Sequence, residues 1–381
     1  SVSGSKIIYD DEKNVADMGI SINNNTVTLD VTKISDGKPP IYFKDAILAS
    51  AKNGGENRTT LGSTVTEFTS ISGENERVLN NAPDDYGTSY YFRGNVLDNY
   101  VTFAGFTWRI VRINGDGSVR LVLDNLAKNS SGTVITAAFN SSYNDNAFVG
   151  YMYGTAGSTT YDATHKNIND STIKIKVDKW YEDNLKTNYA DYLADTLFCN
   201  DKTLASNGIG GVTTQLGYGR NTTYYASAER LQYSSGTTSI TTSKPTFKCA
   251  ERATNDYSRF TVDVATLSNG KQTNGNLKYP IGLLTADELL YAGIYTNILN
   301  RSNYLYNSSL TATWWVMSPS EYLNSDMSSD LLDIWTGKLP TNMLERYNSI
   351  TTLSIRPSIN LKSDVLLDGG DGTKENPYVI S

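Results

Sequence analysis

The chain has 381 residues and a formal net charge of -7, from 33 Lys and Arg against 40 Asp and Glu. Non-specific nucleic-acid binding needs clustered cations to displace phosphate counterions, and no basic stripe occurs, so that class is excluded. One histidine and two cysteines beside 26 tyrosines argue against neutral-pH acid/base and metal chemistry, which lean on side chains that titrate or ligate near pH 7. Such a chain is expected to bind or build.

No apolar run approaches the ~20 residues that span a bilayer. Ser1 to Asp10 lacks the charged and apolar regions of a secretion signal. The chain reads as a mature or trimmed product, with no membrane or wall attachment visible in it.

Lys6 to Tyr9 (KIIY) and Asn25 to Lys33 (NTVTLDVTK) alternate at period two and predict strands. Ile41 to Ala51 spaces Phe43, Ile47 and Leu48 on one helical face, with Asn53-Gly54-Gly55 as the stop. A loop or weak strand follows to Glu74, and Asn80 to Asp85 supplies a boundary. Residues 1–85 are therefore expected to form an N-terminal α+β segment, and 86–381 the main domain.

Tyr90 to Arg93, Tyr100 to Phe103 and Thr107 to Ile113 predict strands. Asn114-Gly115-Asp116-Gly117 then turns into Ser118 to Leu123, the strongest hairpin in the chain. Trp108, Ile110, Val119 and Leu121 are expected to face other layers, and Arg109, Arg112 and Arg120 to point away from the core. Asn129 to Thr160 is a long polar insertion, a length that signals function or disorder. Val177, Trp180, Leu185, Tyr189, Leu193 and Leu197 predict the main helix, over Asp178 to Asp195.

Asn207 to Thr242 is a second polar, aromatic excursion bracketed by Cys199 and Cys249. These cysteines lie 50 positions apart with no Cys-x-x-Cys, which fits neither a zinc site nor a redox motif. A disulfide between them is expected, with two buried free thiols as the alternative. The bond requires an oxidising compartment.

Thr285 to Tyr291 predicts a short helix, with Thr285 and Glu288 as a capping box. Trp314 to Pro319, Leu353 to Leu361 and Tyr378 to Ile380 are strand-like. Strands dominate and two main helices sit between them, an α+β fold with a largely antiparallel sheet and long loops.

The blocks Phe106 to Leu123, Lys278 to Ala292, Trp314 to Pro319 and Ile355 to Ile380 resemble, in order and spacing, an uncharacterised domain family. That family is common in secreted and surface proteins of low-GC Gram-positive gut bacteria. Its members are similar to the C-type lectin and formylglycine-generating-enzyme fold, in which a strand ending in Arg-Pro follows a Trp-rich strand. The resemblance covers roughly Tyr90 to Ser381. It implies a C-type-lectin-like main domain, supports the Cys199–Cys249 bond through Phe198 to Asp201 and Phe247 to Cys249, and implies no activity. The formylglycine-generating branch uses a closely placed reactive cysteine pair, which these two do not provide.

No catalytic residue is expected. The only histidine, His165, reads as a solvated loop residue, and no Gly-x-Ser-x-Gly context supports a triad. Asp84-Asp85, Asp287-Glu288 and Asp330 with Asp333 are carboxylate pairs a glycosidase could use, but each also reads as turn, helix start or solvated face. No cofactor is expected except, as an open alternative, calcium. Asp368 and Asp371 with Glu375 and Asn376, or Asp116 with Asn114, could supply oxygens, although tight turns need the same residues.

Tyr151, Tyr153, Tyr218, Tyr224, Tyr225, Tyr304 and Tyr306 fall in Gly/Ser/Asn loops, where rings with polar tips suit sugar binding. Equally, they could fill the insertions as core. Lys6, Ile7, Ile8 and Tyr9 could add a strand to a neighbour's sheet edge or form an ordinary first strand. The expected protein is an extracellular, non-enzymatic surface adhesin or pilus-like filament subunit, with a carbohydrate-binding lectin-like module and, less favoured, a glycoside hydrolase as alternatives. Its partners would be other copies of itself, or a host glycan or protein.

Overall fold

A computed structural model describes residues 20–23, 26–29, 40–65, 73–231, 243–250, 257–295, 302–306, 312–324, 328–335 and 343–380. Lys6, Ile7, Ile8 and Tyr9 lie outside them. The fold is α+β, mostly sheet, with five α-helices among the described residues.

The larger sheet has nine strands around the expected hairpin. Phe106–Ile113 pairs antiparallel with Val119–Leu123, joined by a turn in which Gly117 takes φ 82°. Gly115 in that turn is fixed by crowding. A Cβ there would sit 2.4 Å from Asp84 Oδ1, so only glycine admits the carboxylate that accepts from its own N–H at 2.8 Å. Outward from the hairpin run Ser358–Leu361 and Ile281–Gly282 on one side, and Thr88–Gly94, Arg77–Pro83 and Thr60–Thr64 on the other. The second sheet has six strands and centres on Trp314–Leu323, which pairs with Ser328–Trp335. That strand continues past the expected end at Pro319, and its register shifts on either side of this residue, which has no N–H for the ladder.

The division expected at residue 85 falls inside a β-hairpin. Arg77–Pro83 pairs residue for residue with Thr88–Gly94, from Arg77 opposite Gly94 to Pro83 opposite Thr88. Helix α1 (Phe43–Asn53) starts where Phe43 N donates to Val365 O at 2.9 Å, and its Phe43 ring meets Tyr378 edge-on. Thr60–Thr64 and Arg77–Pro83 therefore extend the main sheet across the expected boundary. Ile20–Asn23 and Thr26–Leu29 make a two-stranded sheet of their own.

Three sequence expectations are corrected. The helix expected to reach Asp195 is α3 (Thr172–Asn184), which follows the short α2 (Tyr161–His165). Asn184 Nδ2 bonds the Trp180 carbonyl at 2.7 Å, a side chain competing with the backbone at the last turn. Leu193 and Leu197 keep their buried positions as extended chain, Leu193 bridging Leu361. His165 is not solvated: it is buried, with Nε2 2.8 Å from Gly217 O. Arg109, Arg112 and Arg120 do not leave the core either, being 2%, 6% and 1% exposed.

Both faces of the hairpin are covered. Trp108 packs on Trp180 of α3, and on the other side Arg112 and Arg120 meet α5 (Ala286–Ala292), which follows α4 (Ala226–Arg230) in the chain. The capping box of α5 is present, with Thr285 Oγ1 accepting from Glu288 N and Glu288 Oε2 from Thr285 N. Cys199 and Cys249 form a disulfide, their Cα atoms 5.6 Å apart.

Candidate functional site

Two concavities organise the polar residues, and they differ in kind. The first lies over the hairpin's arginines. Arg112 Nη1 meets Asp84 Oδ2 at 3.0 Å, Arg112 Nε meets Glu288 Oε1 at 3.2 Å, and Arg120 Nη1 meets the same oxygen at 2.7 Å. Beside them Arg230 of α4 is bidentate to Asp287, at 2.8 and 2.9 Å, and reaches Asp201 Oδ2 at 2.7 Å.

Burial alone would raise the Glu288 carboxyl, but the Arg120 and Arg112 guanidiniums outweigh it and hold it below the usual carboxylate range. Burial pushes Asp85 the other way, upward, against the Cys249 N–H that donates to it at 2.6 Å. The cavity among these groups encloses only about 20 Å³, room for about one water. Asp84, Asp85, Asp287 and Glu288 are all tied to arginines or backbone N–H groups there. This cluster joins hairpin, α4, α5 and the disulfide, and it has no space for a substrate. Asp330 and Asp333 lie on Ser328–Trp335, of which only the backbone is described.

The second concavity is an open groove of about 570 Å³ between the two long polar insertions. Asn144 and Asp145 stand on one wall, and Tyr218, Arg220 and Asn221 on the other. The walls are built before any ligand arrives. Asp145 caps a turn of 3-10 helix (Asn146–Val149) by accepting from Ala147 N at 2.9 Å, and its other oxygen accepts from Gly157 N at 2.7 Å. Asn146 then crosses between the insertions. Its N–H donates to Gly219 O at 2.9 Å, and its Nδ2 to Gly219 O at 3.0 Å and Asn221 O at 2.8 Å. Its Oδ1 accepts from the Tyr225 hydroxyl at 2.9 Å.

The structure separates the seven loop tyrosines. Tyr151, Tyr225 and Tyr304 are buried and supply core, Tyr151 edge-on to Phe260 and Tyr304 beneath Arg109. Tyr153, half-buried, packs on Phe148, Tyr224 lies against Gly210, and Tyr306 is half-buried near the main sheet's Gly94 contact at Tyr304. Only Tyr218 lines the groove. A buried ring has no face to offer a ligand, so Tyr151, Tyr225 and Tyr304 serve the core.

Two of the carboxylates considered for calcium, Asp371 and Asp116, are engaged by neighbouring side chains. Asp371 accepts from Arg58 at 2.7 Å and from Thr373 N and Oγ1, Asp368 is exposed, and Asp116 accepts from Ser118 and Thr196 in the hairpin turn. Among the described residues no group of three or more His, Cys, Asp or Glu converges as a metal site.

Asp145, Asn146 and Arg220 carry the groove and were not singled out by sequence. Their local signal, Asn-Asp-Asn at 144–146 and Gly-Tyr-Gly-Arg-Asn at 217–221, is that of turns. The contact joining them spans 73 residues at Asn146 and Gly219. Comparison with protein-family models, curated proteins and solved structures returned no match.

Proposed function

We propose that this chain is a non-enzymatic extracellular surface protein acting as an adhesin, with a C-type-lectin-like main domain that presents the two long insertions as its contact surface. One observation carries the reading: residues 144–159 of the first insertion and 218–221 of the second line a single groove, locked by Asn146. Loops held on a rigid scaffold are where binding residues concentrate. The disulfide that brackets the second insertion agrees with an oxidising, extracellular setting. The lectin-like assignment rests on the motif resemblance between residues 106 and 380. The test is binding of labelled, folded chain to epithelial cells and to mucin-coated surfaces. Saturable binding is expected, lost after unfolding, and no binding above the unfolded control would end the adhesin reading.

A filament subunit is the second reading, favoured by the exposed strand Thr60–Thr64 at the end of the nine-stranded sheet. An edge of that kind can accept a strand such as Lys6 to Tyr9 from another copy. Sedimentation of the whole chain over a wide concentration range tests it; a monomer throughout would set it aside.

A further inference from the structure

We propose that the N-terminal hairpin, Ile20–Asn23 with Thr26–Leu29, docks on an outward, uncharged strip at the rim of the larger sheet of its own chain. The contact is independent of the adhesin reading. Register sets the two faces of the hairpin. Ile20 stands opposite Leu29 and Ile22 opposite Val27, and residues opposite each other or two apart share a face. Four aliphatic positions therefore fall on one side, with Ser21 and Thr28 on the other. A two-stranded ribbon is marginal by itself in water and needs something for its apolar face to pack on.

A strip of the matching kind lies on the larger sheet. The face that carries Arg109 runs on to Thr107, which stands opposite Thr102; Thr102 is opposite Val379, and Val379 bridges Gly369. Leu367, two residues before Gly369, continues that face, and its N–H donates to Ile41 O at 2.9 Å, which sets Ile41 beside it. Trp108, Val101 and Tyr378, on the reverse side, are core. The outward set has no charged member. Thr102 and Thr107 are exposed, and Ile41 and Val379 are 52% and 39% exposed. Clustered apolar exposure marks a contact site, and sheets pack face to face when each turns an apolar side to the other.

The chain itself supplies the occupant. Residues 30–40 join Leu29 directly to Ile41, a tether able to reach about 35 Å. The hairpin is thus held near the strip at an effective concentration on the order of millimolar. A contact too small to hold two separate copies together is then sufficient. Residues 20–29 contain no Asp, Glu, Lys or Arg, so no ion has to be desolvated on either surface.

Hydroxyl-radical footprinting of the whole chain, read by mass spectrometry and normalised to the unfolded chain, tests the contact. Ile175 and Val264, 54% and 64% exposed, serve as open controls, and a bare Ile41 would match them. Ile41, Leu367 and Val379 are expected to oxidise severalfold less than the controls. The double substitution Ile22→Asp, Val27→Asp should raise the strip to the control level, and Ile41→Asp should in turn raise Ile22 and Val27, in chains whose buried Trp108 and Trp315 stay protected. Protection should persist on dilution from micromolar to nanomolar chain. Strip residues as reactive as the controls in the wild type, or unmoved by the hairpin substitutions, would overturn the proposal. Protection lost on dilution would overturn it as well, since the covering hairpin would then come from a second copy.

Discussion

Arg112 and Arg120 stand directly opposite each other on the two strands of the central hairpin and share one carboxylate oxygen, Glu288 Oε1, at 3.2 and 2.7 Å. Two like charges in a cross-strand pair repel, so the hairpin's register depends on an anion delivered by α5. Glu288 also caps that helix, and a single side chain thus sets both where α5 starts and how it sits on the sheet.

Replacing Glu288 by Gln keeps the shape and the capping oxygen but leaves the buried Arg120 without its carboxylate and Arg112 with Asp84 alone. The expected loss is about 3–5 kcal/mol, read as a shift of the urea unfolding midpoint. A loss below about 1 kcal/mol would mean that the pair is solvated and the described burial wrong.

Glu288 and Asp85 give opposite pH dependences. The Glu288 carboxyl is depressed below its ordinary 4.5, so its stabilisation is present above that value and is lost as pH falls through the depressed one. Asp85 is raised above 3.8, so the folded state prefers it protonated, and its penalty is relieved as pH falls through the raised value. On going from about pH 7 to about pH 3, the damage done by Glu288→Gln should shrink and that done by Asp85→Asn should grow. Unfolding free energies of both variants across that range decide it, and slopes of the same sign would contradict the assignment.

Cutting the Cys199–Cys249 bond, by reductant or by serine at both positions, releases a loop of 50 residues. The chain-entropy model puts the cost at roughly 4 kcal/mol. Denaturant unfolding with and without reductant measures it, and equal stability in both would show that the bond constrains nothing in the unfolded chain.

Asn146→Ala removes the amide that satisfies the Gly219 and Asn221 carbonyls and accepts from Tyr225. Buried groups left unpaired cost about 1–3 kcal/mol. The sharper readout is hydrogen exchange at residues 217–221, expected to accelerate while the central hairpin stays protected. Unchanged exchange there would show that the two insertions are held by other contacts.

The legible parts of this fold were the local ones. Asn114 to Gly117 declared its hairpin because the turn and both strands are adjacent in sequence, and Thr285 with Glu288 declared a helix start three residues wide. Cys199 and Cys249 were readable because only two cysteines exist to pair. What failed was burial. The arginines at 109, 112 and 120 look like an outer face until Asp84, Glu288 and Asn99 arrive from 10 to 176 positions away. Leu193 and Leu197 continued the helical period of α3 by coincidence, since nothing in their spacing tells a helix face from an extended segment laid against Leu361. Of the seven loop tyrosines named from the sequence only Tyr218 lines the groove, because composition cannot tell which ring a loop turns inward.

The bond between Cys199 and Cys249 closes a covalent ring, and one whole wall of the groove, Tyr218 to Asn221, rides on it. Any single cut by a protease within that ring leaves both pieces attached through sulfur. The groove is thereby built to outlast a nick that would detach an ordinary exposed loop, a useful property wherever a chain meets hydrolases.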